Sequence, residues 1–458
     1  MISAIPVTAI ARACGGRLNQ HPLAEAAKIN GLAIDSRVVQ SGDLFAALPG
    51  ERVDGHDFAE RAAQQGAAAL LVQRELDADC PQIVVKDCQQ ALASVGRLAR
   101  EQYDGVLVGI TGSAGKTTAK NLLRAVLAGV GRTLATEGNF NNELGVPLTL
   151  SRLDPAIEFA VLEMGAGKPG DIAYLQRMVK PTVGVLLTVA PAHIEHFDSL
   201  DAIAETKAAI LDDLPANGLA VINGDLPWVE QWRERATPAH VVTFGFGKGV
   251  DVRAKNIELL GFKGSTCRVK TPSGDFSLAL ALPGRQGIAN ALAAIAVAHS
   301  FGISNKVICE GLRSVQPAVG RGQALTLPNG TCLVDDSYNA NPAAVKAGID
   351  VLAACAGRRR LILGSMLELG ADSDALHREV GLAARDAGIE ELWAVGERAA
   401  QAVIAFGLGG RVFESVATLC DAEPECDGAD TVLVKASRGA ALDVLVSHWT
   451  ANKEQAAC

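Results

Sequence analysis

GITGSAGKTTAK, residues 109–120, follows the apolar run VLVGI and stands at the start of a helical pattern. Gly112 and Gly115 lack a Cβ, so the backbone N–H groups around Ser113 and Ala114 can converge on an anion. The helix is expected to begin near Lys116, where its free N–H groups and dipole also favour negative charge. Lys116 would then reach β and γ phosphates, and the hydroxyl of Thr117, followed by Thr118, would face Mg²⁺. The common loop G-x-x-x-x-G-K-[ST] requires glycine at 110, where this chain has Ile110. The residues therefore predict a phosphate loop of shorter spacing, with an ordinary glycine-rich strand-to-helix turn as the plain alternative.

A chain of 458 residues with 49% hydrophobic residues is long enough for two or three domains, each with its own core. The formal net charge of −9, with Lys and Arg scattered, leaves no electrostatic footprint for nucleic acid. Ten cysteines occur without a C-x-x-C pair, and the nearest two, Cys420 and Cys426, flank an acidic segment. A reduced, cytoplasmic chain is expected. The start MISAIPVTAIARACGG has no basic segment leading into an apolar core, and no run of about 18 apolar residues occurs later, so no membrane insertion is expected.

The fold class is α/β, in three domains. Residues 1–83 mix short apolar strands with turns and include the helix-to-strand passage AERAAQQGAAALLV. Over 84–314 the runs VLVGI, FAVLEM, TVGVLLT and LAVIN alternate with helical patterns, which predicts a mostly parallel sheet covered on both faces. Over 315–458 the alternation restarts with TCLVDD, RLILG, ELWAV and TVLVKA.

A metal-bound nucleotide needs hard ligands, and two strand ends offer them. FAVLEMGAGKPGDI puts Glu163 at the exit of a buried strand, and TVAPAHIEHF puts His193 and Glu195 after another. In an open α/β sheet those ends line the ligand crevice. Glu163 could ligate Mg²⁺ directly, with His193 adding a nitrogen or holding a metal-bound water; a capping acid and a polar loop residue are the bland readings. In SLDAIAETKAAILDDL, Lys207 lies on the apolar stripe of Leu200, Ile203, Ile210 and Leu214. A lysine there either snorkels to the surface or stays neutral and reacts with CO₂ to give a carbamate, a ligand for a second Mg²⁺.

These residues, in this order, resemble the Mur ligase family, ATP-dependent amide-forming enzymes of bacterial cell-wall precursor synthesis. The family pattern T-G-x-x-G-K-T accounts for Ile110, and the resemblance covers nearly the whole chain. It is closest to the type that joins D-alanyl-D-alanine to UDP-N-acetylmuramoyl-tripeptide. It implies a UDP-substrate domain, a central ATP-binding catalytic domain and a dinucleotide-binding-like third domain that carries the incoming dipeptide and part of the nucleotide site. It further implies a monomer using ATP and two Mg²⁺ ions.

Four stretches carry the resemblance. IDSRVVQSGDLF implies that Asp35, Ser36 and Arg37 contact the UDP end, although such a turn could equally be a surface turn. EGNFNNELGVPLTLS resembles a substrate loop in which Asn139, Asn141 and Asn142 donate to diphosphate or peptide groups. VDDSYNANPAAV implies Asp336 near the ribose with Asn339 and Asn341 nearby, and Arg321 is assigned to the same nucleotide site. ILGSMLELGADSDALHREVG and LVKASRGA resemble the segments holding the amine, with Lys435, Ser437 and Arg438 as candidates for its carboxylate.

The chain departs from the family pattern in three places. The adenine segment G-R-H-N-x-x-N reads Gly284-Arg285-Gln286-Gly287-Ile288-Ala289-Asn290, leaving Asn290 as the residue carried over. Ser365 stands where aspartate is usual, and His196 where glycine is usual. The alternatives are the diaminopimelate- or lysine-adding ligase, of which the diaminopimelate-adding type usually carries an Asp-Asn-Pro-Arg string that is missing from this chain, and more distantly a P-loop kinase or ATPase.

Overall fold

The computed structural model describes residues 4–50, 53–191, 194–422 and 430–455. The site is organised by the nine-stranded central sheet, built around the buried strand Val106–Thr111. That strand lies between Phe159–Glu163 and Val183–Leu186, parallel to both. Thr133–Ala135 lies beyond Phe159–Glu163, and Leu219–Asn223 and His240–Gly245 continue the parallel order on the other side. From Val106–Thr111 the chain runs to one edge, returns to Phe159–Glu163, then crosses over to Val183–Leu186. The strand order therefore reverses beside the phosphate loop, which is where an open α/β sheet forms its crevice.

The sheet ends in an antiparallel extension, Val252–Leu259, Ser265–Thr271 and Gly274–Leu280, joined to His240–Gly245 through a short parallel pairing. These three strands depart from the mostly parallel arrangement expected over 84–314. Ser265–Thr271 alternates strictly between inward and outward side chains, the two-residue period of a sheet with one wet face.

Helices cover both faces of the parallel part. Lys116–Leu127 packs against the helix Gly284–Ser300, which is apolar throughout residues 291–298, with Leu122, Leu123, Ile288 and Ile295 in one core. On the other face lie Gly145–Leu150, Asp171–Val179 and the segment around Ile203 and Ile210. This last segment is a helix only over Leu200–Ala208 and tightens into a 3₁₀ turn at Ala209–Leu211. Leu200 is 38% exposed, so the apolar stripe begins at Ile203; Lys207, at 4%, lies on its buried part.

A five-stranded sheet over Arg17–Val84 forms the N-terminal unit. Helix Cys88–Glu101 joins it to the central unit: Cys88, Ala91, Leu92 and Val95 enter the first core, and Ala93 and Ala99 the second. The third unit is a six-stranded sheet with Cys332–Asp336, Thr431–Lys435 and Arg359–Gly364 as parallel central strands. TCLVDD, RLILG, ELWAV and TVLVKA all become strands of this sheet. Among the described residues no helix is long and apolar enough to cross a membrane.

Candidate active site between two sheets

The carboxyl ends of the central strands and those of the third sheet face each other across a cavity of about 1360 Å³. Ser113 to Thr118 form its floor. Gly115 adopts φ +85°, and a Cβ there would stand 2.3 Å from Asn290 Oδ1, so both backbone conformation and close approach demand glycine. Gly112 lies behind the loop, where a Cβ would be 3.0 Å from the Leu187 Cβ. The loop is anchored to the next strand: the Ser113 amide donates to Thr188 O at 2.8 Å and its hydroxyl to Ala190 O at 3.0 Å.

The helix starts at Lys116, as expected from the pattern. The Lys116 ammonium folds back onto Gly112 O at 2.7 Å. Burial lowers its pKa, Glu163 works in the opposite direction, and Arg321 adds to the lowering. The Thr117 hydroxyl donates to Glu163 Oε2 at 2.9 Å, and Asn141 Nδ2 donates to Oε1 at 2.8 Å. Glu163 is 2% exposed, and its amide donates to the Thr136 hydroxyl at 3.0 Å. A hydroxyl and a carboxylate beside a phosphate loop are the hard oxygen donors that suit Mg²⁺. Thr117 and Glu163 therefore fit such an ion.

Of the three asparagines assigned to the substrate loop, Asn139, Asn141 and Asn142 all line the cavity. Asn142 Oδ1 is committed to the Gly145 amide, 3.0 Å away, and the Asn141 amide group to Glu163. His193 lies outside the described residues. Lys207 is buried behind the cavity rather than on its wall. Its pKa falls to about 7, chiefly through burial, with the charge of Lys116 adding to the fall and Asp171 opposing it.

The opposite wall comes from the third unit. Arg321, Asp336, Asn339, Asn341 and Lys435 line it. The Lys435 ammonium donates to Asp336 Oδ2 at 2.6 Å and to Asn339 O at 3.2 Å. Burial pushes the Asp336 carboxyl upward, and Lys435 pulls against it. Asn341 caps helix Pro342–Ala353 through the Ala344 amide. Ser437 and Arg438 are off the cavity wall: the Ser437 hydroxyl is held between Ala340 O and the Leu367 amide, and Arg438 lies 5.4 Å from the Tyr338 ring centroid.

Asp35, Ser36 and Arg37 are also away from this cavity. Asp35 caps the 3₁₀ turn Ser36–Val38, Arg37 forks its carboxylate, Nη2 to Oδ2 at 2.6 Å, and these hydrogen bonds lower the Asp35 pKa to about 2.

Several lining residues carried no signal read from the sequence. Phe262, Leu282, Pro283 and Val351 give the cavity an apolar end, and Arg285 beside them stacks 4.3 Å from the Phe246 ring centroid. Asp87, Gln89 and Gln90 bring the start of the joining helix to the opposite end. Tyr338 also lines the cavity, with the expected Arg321 stacked 4.0 Å from its ring centroid. Lys120, one turn beyond Lys116, is buried and donates to Thr136 O at 2.7 Å; this spacing along one helix face was the signal available.

The altered adenine segment forms the first turns of helix Gly284–Ser300, where Gln286 Nε2 donates to Asn290 Oδ1 at 3.3 Å. Gln286 thus orients the asparagine that lies against Gly115.

Comparison with known proteins bears on this architecture. Residues 110–298 match the Mur ligase middle domain, residues 320–438 the Mur ligase glutamate ligase domain, and residues 28–101 the Mur ligase family catalytic domain. The UDP-N-acetylmuramoyl-tripeptide–D-alanyl-D-alanine ligase of Escherichia coli K12 is 39% identical over 424 residues, covering 91% of this chain and 93% of its own. The enzyme of the same name from Synechocystis is 34% identical, covering 94% of each. The crystal structure of MurF from Acinetobacter baumannii superimposes with a TM-score of 0.88 at 31% identity, over 98% of this chain and 99% of that one. MurF ligase from Thermotoga maritima in complex with ADP gives 0.82 at 28% identity, over 93% and 98%.

Lys207 has a measurable signature. Its amine keeps a proton up to about pH 10.4 in the unfolded chain but only to about 7 in the folded one. The burial cost is therefore complete below pH 7 and is relieved as pH rises towards 10, because unfolding takes up a proton across that window. In CO₂-free buffer Lys207→Met should be more stable than wild type to urea, by on the order of 4 kcal/mol near pH 6 and much less near pH 10. A difference that does not change with pH would mean that the amine is solvated in the folded protein.

Proposed function

The chain belongs to the Mur ligase family, and on that premise we propose that this protein joins D-alanyl-D-alanine to UDP-N-acetylmuramoyl-tripeptide at the expense of ATP. It is an ATP-dependent amide ligase of peptidoglycan precursor synthesis. The observation that carries the reading is the single cavity in which Lys116, Thr117 and Glu163 of one sheet face Arg321, Asp336 and Lys435 of another. A phosphate loop alone would suit a kinase; the second wall supplies a place for an amine. The near full-length relatives that act in this way support the same choice.

In the first step a carboxylate oxygen of the tripeptide attacks the γ-phosphorus. A P–O bond forms, the bond to the β–γ bridging oxygen breaks, and its electron pair leaves with ADP. Lys116 stabilises charge on the transferring phosphoryl group, and the loop amides hold the phosphates in line. In the second step the dipeptide amine attacks the acyl carbon. The C–O bond to phosphate breaks, inorganic phosphate leaves, and the amine gives up a proton. The cavity walls exclude water, which would hydrolyse the acyl phosphate.

Thr117 and Glu163 would hold Mg²⁺, which would neutralise phosphate charge. A second ion would be held by His193 and by a carbamate on Lys207, which would form when the neutral amine adds to CO₂ with release of a proton. The burial of Lys207 and its pKa of about 7 favour that chemistry. The apolar end at Phe262 and Val351 takes the adenine, with Asn290 near the phosphates and Asp336 and Asn339 towards the ribose. Residues 1–83 grip UDP through Asp35, Ser36 and Arg37, residues 84–314 activate the carboxylate, and residues 315–458 carry the dipeptide beside Lys435 on the cavity wall, with Ser437 and Arg438 behind that wall, holding the Leu367 amide and packing on Tyr338. The cavity is complete within one chain, which supports a monomer. Cytoplasmic placement accords with the chemistry of the substrates.

Mass spectrometry of products should show the UDP-linked pentapeptide from UDP-tripeptide, D-alanyl-D-alanine and ATP, and no adduct with diaminopimelate or lysine. Lys116→Ala should reduce turnover by at least about 10³-fold while binding of the UDP-tripeptide stays within a few-fold. A phosphorylated end product, or full turnover in the variant, would contradict the mechanism. For the carbamate, Lys207→Ala should regain turnover when a short carboxylic acid is added; no recovery at any concentration would make Lys207 structural.

A further inference from the structure

His377 is wholly buried in helix Ser373–Asp386, and the phosphate chemistry does not use it. Its Nδ1 lies 2.7 Å from Ser373 O, a group that can only accept, so Nδ1 carries the proton. Its Nε2 is then bare and accepts the amide N–H of Met366 at 3.0 Å. Backbone groups on both sides thus fix one tautomer.

Met366 lies beyond the end of strand Arg359–Gly364, in a loop at the carboxyl edge of the third sheet. The next amide, Leu367, is taken by the Ser437 hydroxyl at 2.9 Å, and the Ser437 amide donates to Ser365 O at 3.3 Å. Two successive amides past the strand are therefore pinned by different elements, His377 from the helix and Ser437 from the end of strand Thr431–Lys435. The loop then passes through Glu368 at φ +60°, a conformation unfavourable for a residue with a Cβ. It next reaches the central unit, where a Cβ at Gly370 would lie 3.5 Å from Glu195 Cβ. His196, beside Glu195, lines the cavity. The loop thus spans from the end of the Lys435 strand to the segment that carries His196; Lys435 and His196 line the cavity, and the loop lies behind them.

We propose that His377 is a positioning residue for the second half-reaction: by fixing the loop Ser365–Leu369 it holds the Lys435 strand end and the His196 segment on either side of that loop in the arrangement that seats the incoming amine and keeps water from the acyl phosphate. This rests on the ligase reading above. Loosening the loop should leave phosphoryl transfer intact, because Lys116, Thr117 and Glu163 are held by other contacts, and should harm only the later amide-forming step.

The test uses the full chain with His377→Leu, which removes both ring nitrogens, and His377→Gln, whose side-chain amide can offer oxygen to Met366 and N–H to Ser373. His377→Leu should raise the KM for D-alanyl-D-alanine about ten-fold, the size of one buried hydrogen bond, with the KM values for ATP and UDP-tripeptide within about two-fold. It should release more than one phosphate per amide formed and speed hydrogen exchange at the Met366 amide. His377→Gln should restore most of each. If His377→Leu does not fold, His377→Asn, which reaches Ser373 but not Met366, takes its place and should show the same losses. A folded variant with unchanged dipeptide KM and one phosphate per amide would overturn the proposal, as would a common rise in all three KM values. Failure of the wild-type protein to form the amide at all would instead defeat the ligase reading.

Discussion

The site depends on the placement of one buried carboxylate. Glu163 sits at the end of the strand next to the sheet's edge strand, almost fully out of water. A carboxylate in that position is costly unless its oxygens are occupied. The Thr117 hydroxyl and the Asn141 amide occupy one oxygen each. Hydrogen bonds to a charged group contribute about 1.5–3 kcal/mol each, so the pair ties three separate chain segments to one point. The first turn of the helix Lys116–Leu127, the loop that carries Asn141 and a central strand therefore cannot shift independently.

That constraint explains the rest of the geometry. Helix Lys116–Leu127 must lie so that Thr117 meets Glu163, which brings Gly115 against Asn290 of the neighbouring helix. Asn290 is held in turn by Gln286, so the substituted adenine segment still supports the phosphate floor. Across the cavity, Lys435 and Asp336 pair over 99 positions in sequence, at the ends of adjacent parallel strands. Both walls thus present charged groups from strand ends, as the parallel arrangement dictates.

The features legible in the sequence were local. The phosphate loop, its helix start at Lys116 and the strand-end position of Glu163 are set by glycine spacing and an apolar run a few residues long. The alternating strands of the third unit were legible for the same reason. The antiparallel strands over 252–280 were passed over because one wet face breaks the continuous apolar run that marks a parallel strand. The partners of polar side chains were hidden, since they depend on tertiary register. Asn141 reaches Glu163, Arg37 turns back on Asp35, and Ser437 faces Ala340 and Leu367. The stripe around Lys207 was misjudged at its N-terminal end, where Leu200 faces water at the start of the helix.

The central claim is that phosphate passes to a carboxylate and leaves from it. Labelling the terminal carboxylate of the UDP-tripeptide with oxygen-18 tests this directly. The account predicts one labelled oxygen in the inorganic phosphate for each amide formed and one retained in the new peptide carbonyl. Unlabelled phosphate, with amide still formed, would show that the carboxylate never bonded to phosphorus and would contradict the account.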